Sequence, residues 1–203
     1  SAKPVRAAYS ISLQAALIEA WLAHLGVDEY ACIAHDLGDT VAQELLARQG
    51  PGHPRMTRLV LLNGGLFPET HKPVLLQTLL AGPLGPLVAR LTTRKRFITN
   101  MRRICIQPLA DDEVESMWRL LQHNDGTRVL PKLIGYMEER RQHRTRWVGA
   151  LQNSAVPVRL IIGLADPISG AHMVARYREL IPGADVVELP GVGHYPQVEA
   201  PQR

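Results

Sequence analysis

A chain of 203 residues, 46% apolar and 21% charged, is long enough to bury one substantial core and shows no bias toward disorder or fibre. It contains no run of about 18 apolar residues of the kind a membrane-spanning helix needs. The net charge of +4 raises nucleic acid as a partner, but aromatics are only 5% of the chain and no recognised binding motif accompanies the basic residues, so no nucleic-acid partner is expected.

Ser12 to Leu25 carries Leu13, Leu17, Ala20, Trp21 and Leu25 at helical spacing, with Ser12 as N-cap and Gly26 as stop. Tyr30 to Ala34 is a short apolar run that reads as a strand, and Thr40 to Arg48 reads as the helix after it. A Gly50-Pro51-Gly52 loop then leads into Met56 to Asn63, a second buried strand. From about Gly64 to Arg146 the prolines at Pro68, Pro73, Pro83, Pro86 and Pro108 break the chain into short helices, the last starting near Pro131 with Leu133, Ile134 and Met137 on one face. The basic clusters at Arg94 to Arg96, Arg102-Arg103 and Arg140 to Arg146 fall in this stretch and read as solvated helix faces or as contacts to a partner or membrane surface. Arg159 to Gly163 reads as a buried strand and Ala184 to Leu189 as another strand. The expected fold class is therefore α/β: a mostly parallel sheet formed by residues 1–63 and 148–203, interrupted by a helical cap over residues 64–147.

Three strand ends carry chemistry. Asp36 lies in Ala34-His35-Asp36-Leu37-Gly38, between the first strand and its helix, with a small residue two before it and a glycine two after, the composition of a crowded strand-to-helix elbow. Asp166 follows the third strand and precedes Pro167, which keeps it out of helical geometry. His194 sits in Pro190-Gly191-Val192-Gly193-His194-Tyr195-Pro196, the exit loop of the last strand. Nucleophile, acid and histidine in that chain order, each at the carboxyl end of a strand, follow the order of a hydrolase triad. An aspartate at the elbow attacks carbon and forms an ester with its own carboxylate, chemistry distinct from that of a serine.

His35-Asp36-Leu37-Gly38 resembles the elbow of the haloalkane dehalogenase and epoxide hydrolase branch of the α/β-hydrolase superfamily. The stretches Gly38 to Leu46, Asn63 to His71 and Arg146 to Leu151 are closer still to the mesoderm-specific transcript proteins of that branch. The resemblance implies a partial α/β-hydrolase fold acting on a small-molecule substrate, with Asp36, Asp166 and His194 catalytic and the backbone N–H of Leu37 in the oxyanion hole. It also implies that strands bearing a second oxyanion donor precede the chain and that a closing helix follows it. Self-association, or association with such a preceding segment, is the partner expectation. His35, Tyr136 and Trp118 are the candidate substrate-binding residues. Dehalogenases of the branch place a tryptophan after the nucleophile and haloacetate enzymes an arginine. Leu37 is neither, and it departs as well from the tryptophan that epoxide hydrolases tend to carry there; the expected substrate is of epoxide type, with a dehalogenase-like reaction or a non-catalytic binding member as the alternatives. Tyr136 is the sole tyrosine between Gly64 and Arg146 and thus the cap candidate for protonating a leaving oxygen. The eight histidines show no paired ligand spacing and the two cysteines, Cys32 and Cys105, lie far apart, so no metal or cofactor is expected. Cys32 inside the elbow strand reads as one of two free thiols, and with them goes an expected cytoplasmic location.

Overall fold

Four strands lie side by side in chain order in one parallel sheet: β1 (Glu29–His35), β2 (Arg55–Leu62), β3 (Val158–Gly163) and β4 (Asp185–Leu189). The computed structural model describes residues 2–203. Parallel neighbours require a crossover on each connection, and helices supply it. Helix α1 (Ile11–His24) precedes β1, α2 (Leu37–Ala47) joins β1 to β2, and α10 (Ala171–Leu180) joins β3 to β4. Leu59 and Leu61 of β2 and Leu160 and Ile162 of β3 are wholly buried between these helices, with Val41, Ala42 and Leu45 of α2 and Met173 and Tyr177 of α10.

The long β2–β3 connection contains α3 (Leu75–Ala81), α4 (Gly85–Arg90), α5 (Arg94–Ile104), α6 (Asp111–Gln122), a 3-10 stretch (His123–Val129), α7 (Leu130–Leu133), α8 (Tyr136–Gln142) and α9 (Arg144–Gln152). Pro86 and Pro131 sit in the first turns of α4 and α7, where a missing N–H costs nothing. The chain has rejoined the core by α9, which packs along α2. Glu44 of α2, 6% exposed, accepts from Arg48 Nε (2.8 Å), Arg146 Nε (2.8 Å) and Trp147 Nε1 (2.7 Å). Burial works against its ionisation, but these hydrogen bonds outweigh it and hold the carboxyl down at about 2.

Several expectations need correcting. The first helix is capped by Ser10, whose hydroxyl accepts from the Leu13 N–H at 3.1 Å, while the Ser12 hydroxyl accepts from Arg48 instead. The apolar stripe of α1 also faces outward: Leu17 and Trp21 are each 60% exposed, and the buried arc is Ile11, Ala15 and Leu22. Arg140, expected on a solvated basic face, is 2% exposed. The backbone crowding expected at Gly38 is absent, since a Cβ there would stand 3.8 Å from Ala34 Cβ, an ordinary contact. Crowding falls instead at Gly64, where a Cβ would strike the Asp39 side chain, and at Gly163, where it would strike the backbone of Val192 and Gly193. The two cysteines are free thiols, Cys105 buried and Cys32 half-buried. No helix among the described residues is long and apolar enough to cross a membrane.

Candidate active site

Each of the four strands delivers one polar residue to the same edge of the sheet: Asp36 after β1, Asn63 after β2, Asp166 beyond β3 and His194 beyond β4. Asp36 has φ 51° and ψ −110°, a conformation that strains any residue with a Cβ. Its backbone N–H still donates to the Leu62 carbonyl at 3.1 Å, so the elbow is tied to the neighbouring strand while its side chain turns outward, 39% exposed. Leu37 opens α2, so its backbone N–H belongs to a first turn whose donors have no partner within the helix.

His194 Nδ1 donates to Asp166 Oδ2 at 2.8 Å, and Nε2 lies 3.9 Å from Asp36 Oδ2, an ion-pair separation too long for a hydrogen bond. Asp166 is 3% exposed and well supplied with donors: the Ile168 N–H at 2.8 Å, Asn63 Nδ2 at 2.9 Å and the Ser169 hydroxyl at 2.7 Å. Burial opposes its charge, but His194 and these donors hold its carboxyl below the usual range. Burial likewise disfavours an imidazolium at His194. The hydrogen bond to Asp166 and the charge of Asp36 override it, and its pKa is pushed up to about 10. The resting imidazole is therefore protonated between two carboxylates. For Asp36 too, burial is the largest opposing influence, and His194, then Arg140 and His35, keep it ionised far below the carboxylate range.

His35 Nε2 donates to the His194 carbonyl oxygen at 2.7 Å, and its ring lies 4.6 Å from that of Tyr195, so it braces the histidine loop. Burial lowers its pKa, which keeps the ring neutral with its proton on Nε2. Tyr136 is 5% exposed on α8, its hydroxyl 3.3 Å from Gln77 Nε2 and its ring 4.4 Å from Arg140 Cζ. Asp36, Asp166, His194, His35, Leu37 and Tyr136 are thus gathered around the elbow. Trp118 packs on Phe97 of α5 with ring centroids 5.5 Å apart, and the Trp147 indole is committed to Glu44.

Two residues of this site escaped the sequence reading. Asn63, itself at φ 44° and wholly buried, accepts from the Gly163 N–H at 2.8 Å while donating to Asp166, so it locks β3 and its acid to β2. The available signal was an Asn-Gly-Gly sequence directly after a strand, where asparagine tolerates positive φ. Arg140 donates to Thr40 Oγ1 at 2.7 Å and to the Asp36 carbonyl oxygen at 3.4 Å, and its only signal was a place four residues after Tyr136 on one helix. No group of three or more His, Cys, Asp or Glu among the described residues could hold a metal ion.

A parallel sheet whose carboxyl edge presents a strained strand-to-helix elbow bearing an aspartate, then a second aspartate and a histidine in that chain order, has the arrangement of an α/β hydrolase. The chain belongs to the alpha/beta hydrolase family, whose model matches residues 3–203. It is 42% identical over 206 residues to the protein named hydrolase LipZ of Mycobacterium tuberculosis, covering 100% of this chain and 72% of LipZ. It is 39% identical over 213 residues to the mesoderm-specific transcript protein of Mus musculus, covering 99% of this chain and 63% of that protein's length. The solved structure of a haloalkane dehalogenase DbeA-M1 loop variant from Bradyrhizobium elkanii superposes with a TM-score of 0.73 at 20% identity, over 100% of this chain and 72% of the other, a likeness of fold.

Proposed function

We propose that this α/β hydrolase opens a small apolar epoxide through a covalent ester on Asp36. The observation that carries the reading is a carboxylate at the strained elbow, 3.9 Å from the Nε2 of an imidazole that Asp166 holds at 2.8 Å on its other nitrogen. As a carboxylate oxygen of Asp36 bonds to the less hindered ring carbon, the ring carbon–oxygen bond breaks, its electron pair stays on oxygen, that oxygen takes the proton of Tyr136, the cap candidate, and Asp36 is left as a hydroxyalkyl ester. That step removes one of the two negative charges that keep His194 protonated. The histidine pKa falls, its proton restores the phenol of Tyr136, and the neutral imidazole then takes a proton from water, which attacks the ester carbonyl carbon. The backbone N–H of Leu37 faces the oxyanion formed on Asp36, and Asp166 keeps the imidazole oriented throughout. Leu37 offers no side-chain donor to a departing halide, which favours oxygen over halogen as the leaving atom.

Because water attacks the carbonyl carbon of the ester, the oxygen that reaches the diol comes from Asp36. In a single turnover in heavy-oxygen water, the peptide containing Asp36 is expected to gain the label while the diol stays light. Label in the diol with none in the peptide would refute the covalent route. Thermal stabilisation by the epoxide with neither labelling nor product would mark the site as a binding surface.

A further inference from the structure

Three consecutive backbone N–H groups, those of Gly193, His194 and Tyr195, are bound by one carboxylate and by the end of one helix. Glu199, at the end of α11 (Pro196–Glu199), accepts from the Gly193 N–H at 2.9 Å through Oε2 and from the Tyr195 N–H at 2.9 Å through Oε1. The His194 N–H between them donates to the carbonyl oxygen of Ile104, the last residue of α5, at 2.9 Å. The same Oε2 also accepts from the N–H groups of Ile106 at 2.7 Å and Gln107 at 2.9 Å. One carboxylate thus joins the two residues flanking His194 to the connection between α5 and α6, and Gln107 Nε2 adds a bond to the Gly191 carbonyl oxygen at 2.8 Å. The two segments also press together, since a Cβ on Gly193 would stand 2.4 Å from the Ile104 oxygen and 2.8 Å from the Ile106 nitrogen. Ile104 and Cys105 share a buried apolar cluster with Ile168, against which Tyr195 packs, and the Ile168 N–H donates to Asp166 at 2.8 Å.

A loop with glycines at 191 and 193, the first at φ 71°, does not hold its own backbone in one conformation. Asp166 fixes the His194 ring at Nδ1, but the reach of Nε2 toward Asp36 Oδ2, 3.9 Å away, is set by where the backbone stands. A carboxylate offers acceptors only, and its bonds to N–H groups are stronger than those of a neutral oxygen. We propose that Glu199 is a positioning residue that locks the His194 loop to the α5–α6 connection, so that the imidazole stands at the elbow only while that connection is seated. When the connection lifts, Ile106 and Gln107 leave Glu199, Ile104 leaves the His194 N–H, and the loop loses its register. The kinetic consequence rests on the ester route through Asp36. Alkylation of Asp36 does not use Nε2 as a base, whereas attack of water on the ester does, so losing the lock falls on the second step.

The test follows single turnovers of a terminal epoxide by intact mass, which separates the rate at which Asp36 is labelled from the rate at which the ester is lost. Glu199→Ala is expected to slow ester loss by about 100-fold, the effect of a misplaced group, and labelling by less than about threefold. Glu199→Gln keeps one oxygen for the three N–H bonds of Oε2 but turns an amide N–H toward Tyr195, so it is expected to slow ester loss only about tenfold. Gln107→Ala, at an exposed position, removes the bond to Gly191 and is expected to slow the same step about threefold, which carries the test if Glu199→Ala does not fold. Proton NMR adds an arm that needs no ester: the Nδ1 proton between His194 and Asp166 is expected to exchange with water about tenfold faster in Glu199→Gln than in the parent. Equal slowing of labelling and ester loss, unchanged ester loss in Glu199→Gln, or unchanged proton exchange overturns the proposal while leaving Asp36 as nucleophile. If the epoxide does not label the parent, the ester route falls and the proton exchange decides alone: faster exchange in Glu199→Gln upholds the lock, and an unchanged rate overturns it.

Discussion

Asn63→Ala tests whether the second strand fixes Asp166. The side chain is wholly buried and makes one hydrogen bond to the charged Asp166 at 2.9 Å and two to the Gly163 backbone, at 2.8 and 3.2 Å. A bond to a charged group contributes about 1.5–3 kcal/mol and a neutral one about 0.5–1.5 kcal/mol, and the Gly163 N–H would be left buried without a partner. The expected loss of stability is therefore about 3–5 kcal/mol, or about 6–20 °C in Tm for a domain of this size. Denaturant unfolding at fixed pH measures it as a lower midpoint at unchanged slope. Asn63→Asp sets a second carboxylate beside Asp166, and its larger loss at neutral pH is expected to shrink as acid protonates one of the pair. A loss below about 1 kcal/mol for Asn63→Ala would refute the reasoning, because the bridge would then carry no weight.

Gly163→Ala forces a methyl into the Val192 and Gly193 backbone, so it is expected to cost about 1–3 kcal/mol or more and to displace the His194 loop; thermal unfolding at or above the parent Tm would contradict this close approach. His194 has a folded pKa raised to about 10, so the stability it contributes is fully present below the ordinary histidine value of about 6.5 and is lost as pH rises toward 10. Unfolding free energy should thus decline between those pH values in the parent, and His194→Phe should flatten the decline; parallel curves would rule out the raised value. In Asp36→Asn, where one of the two flanking carboxylates is neutral, an NMR titration should find the His194 pKa lower than in the parent, and an unchanged value would remove the electrostatic basis for its turning into a base after esterification.

Asp36, Asp166 and His194 were legible because each is announced by local chemistry: a strand end followed by a helix start, a proline or a glycine-flanked loop. The order of these pieces, more than any single motif, pointed to one sheet edge. Asn63 was not legible as a positioning residue, because its partners lie about a hundred residues away and only the β2–β3 pairing brings them together. Arg140 was misread for the opposite reason: its basic neighbours suggest a solvated run, yet α8 turns this one position inward onto Thr40. The exposed arc of α1 shows the limit of periodicity, since Ile11, Ala15 and Leu22 form an equally regular stripe and packing against α2 chooses between them. Glycine placement followed the same logic. The elbow glycine has room for a methyl, whereas Gly163 and Gly64 are needed where separate segments press together, which no local pattern records.

The most direct measurement is the intact mass of His194→Ala protein after exposure to a terminal epoxide, with peptide mapping of the adduct. One stable ester on Asp36, absent in the double variant that also carries Asp36→Asn, is the expected result. An unmodified protein, or an adduct placed elsewhere and indifferent to Asp36→Asn, would contradict the assignment of this carboxylate as the nucleophile.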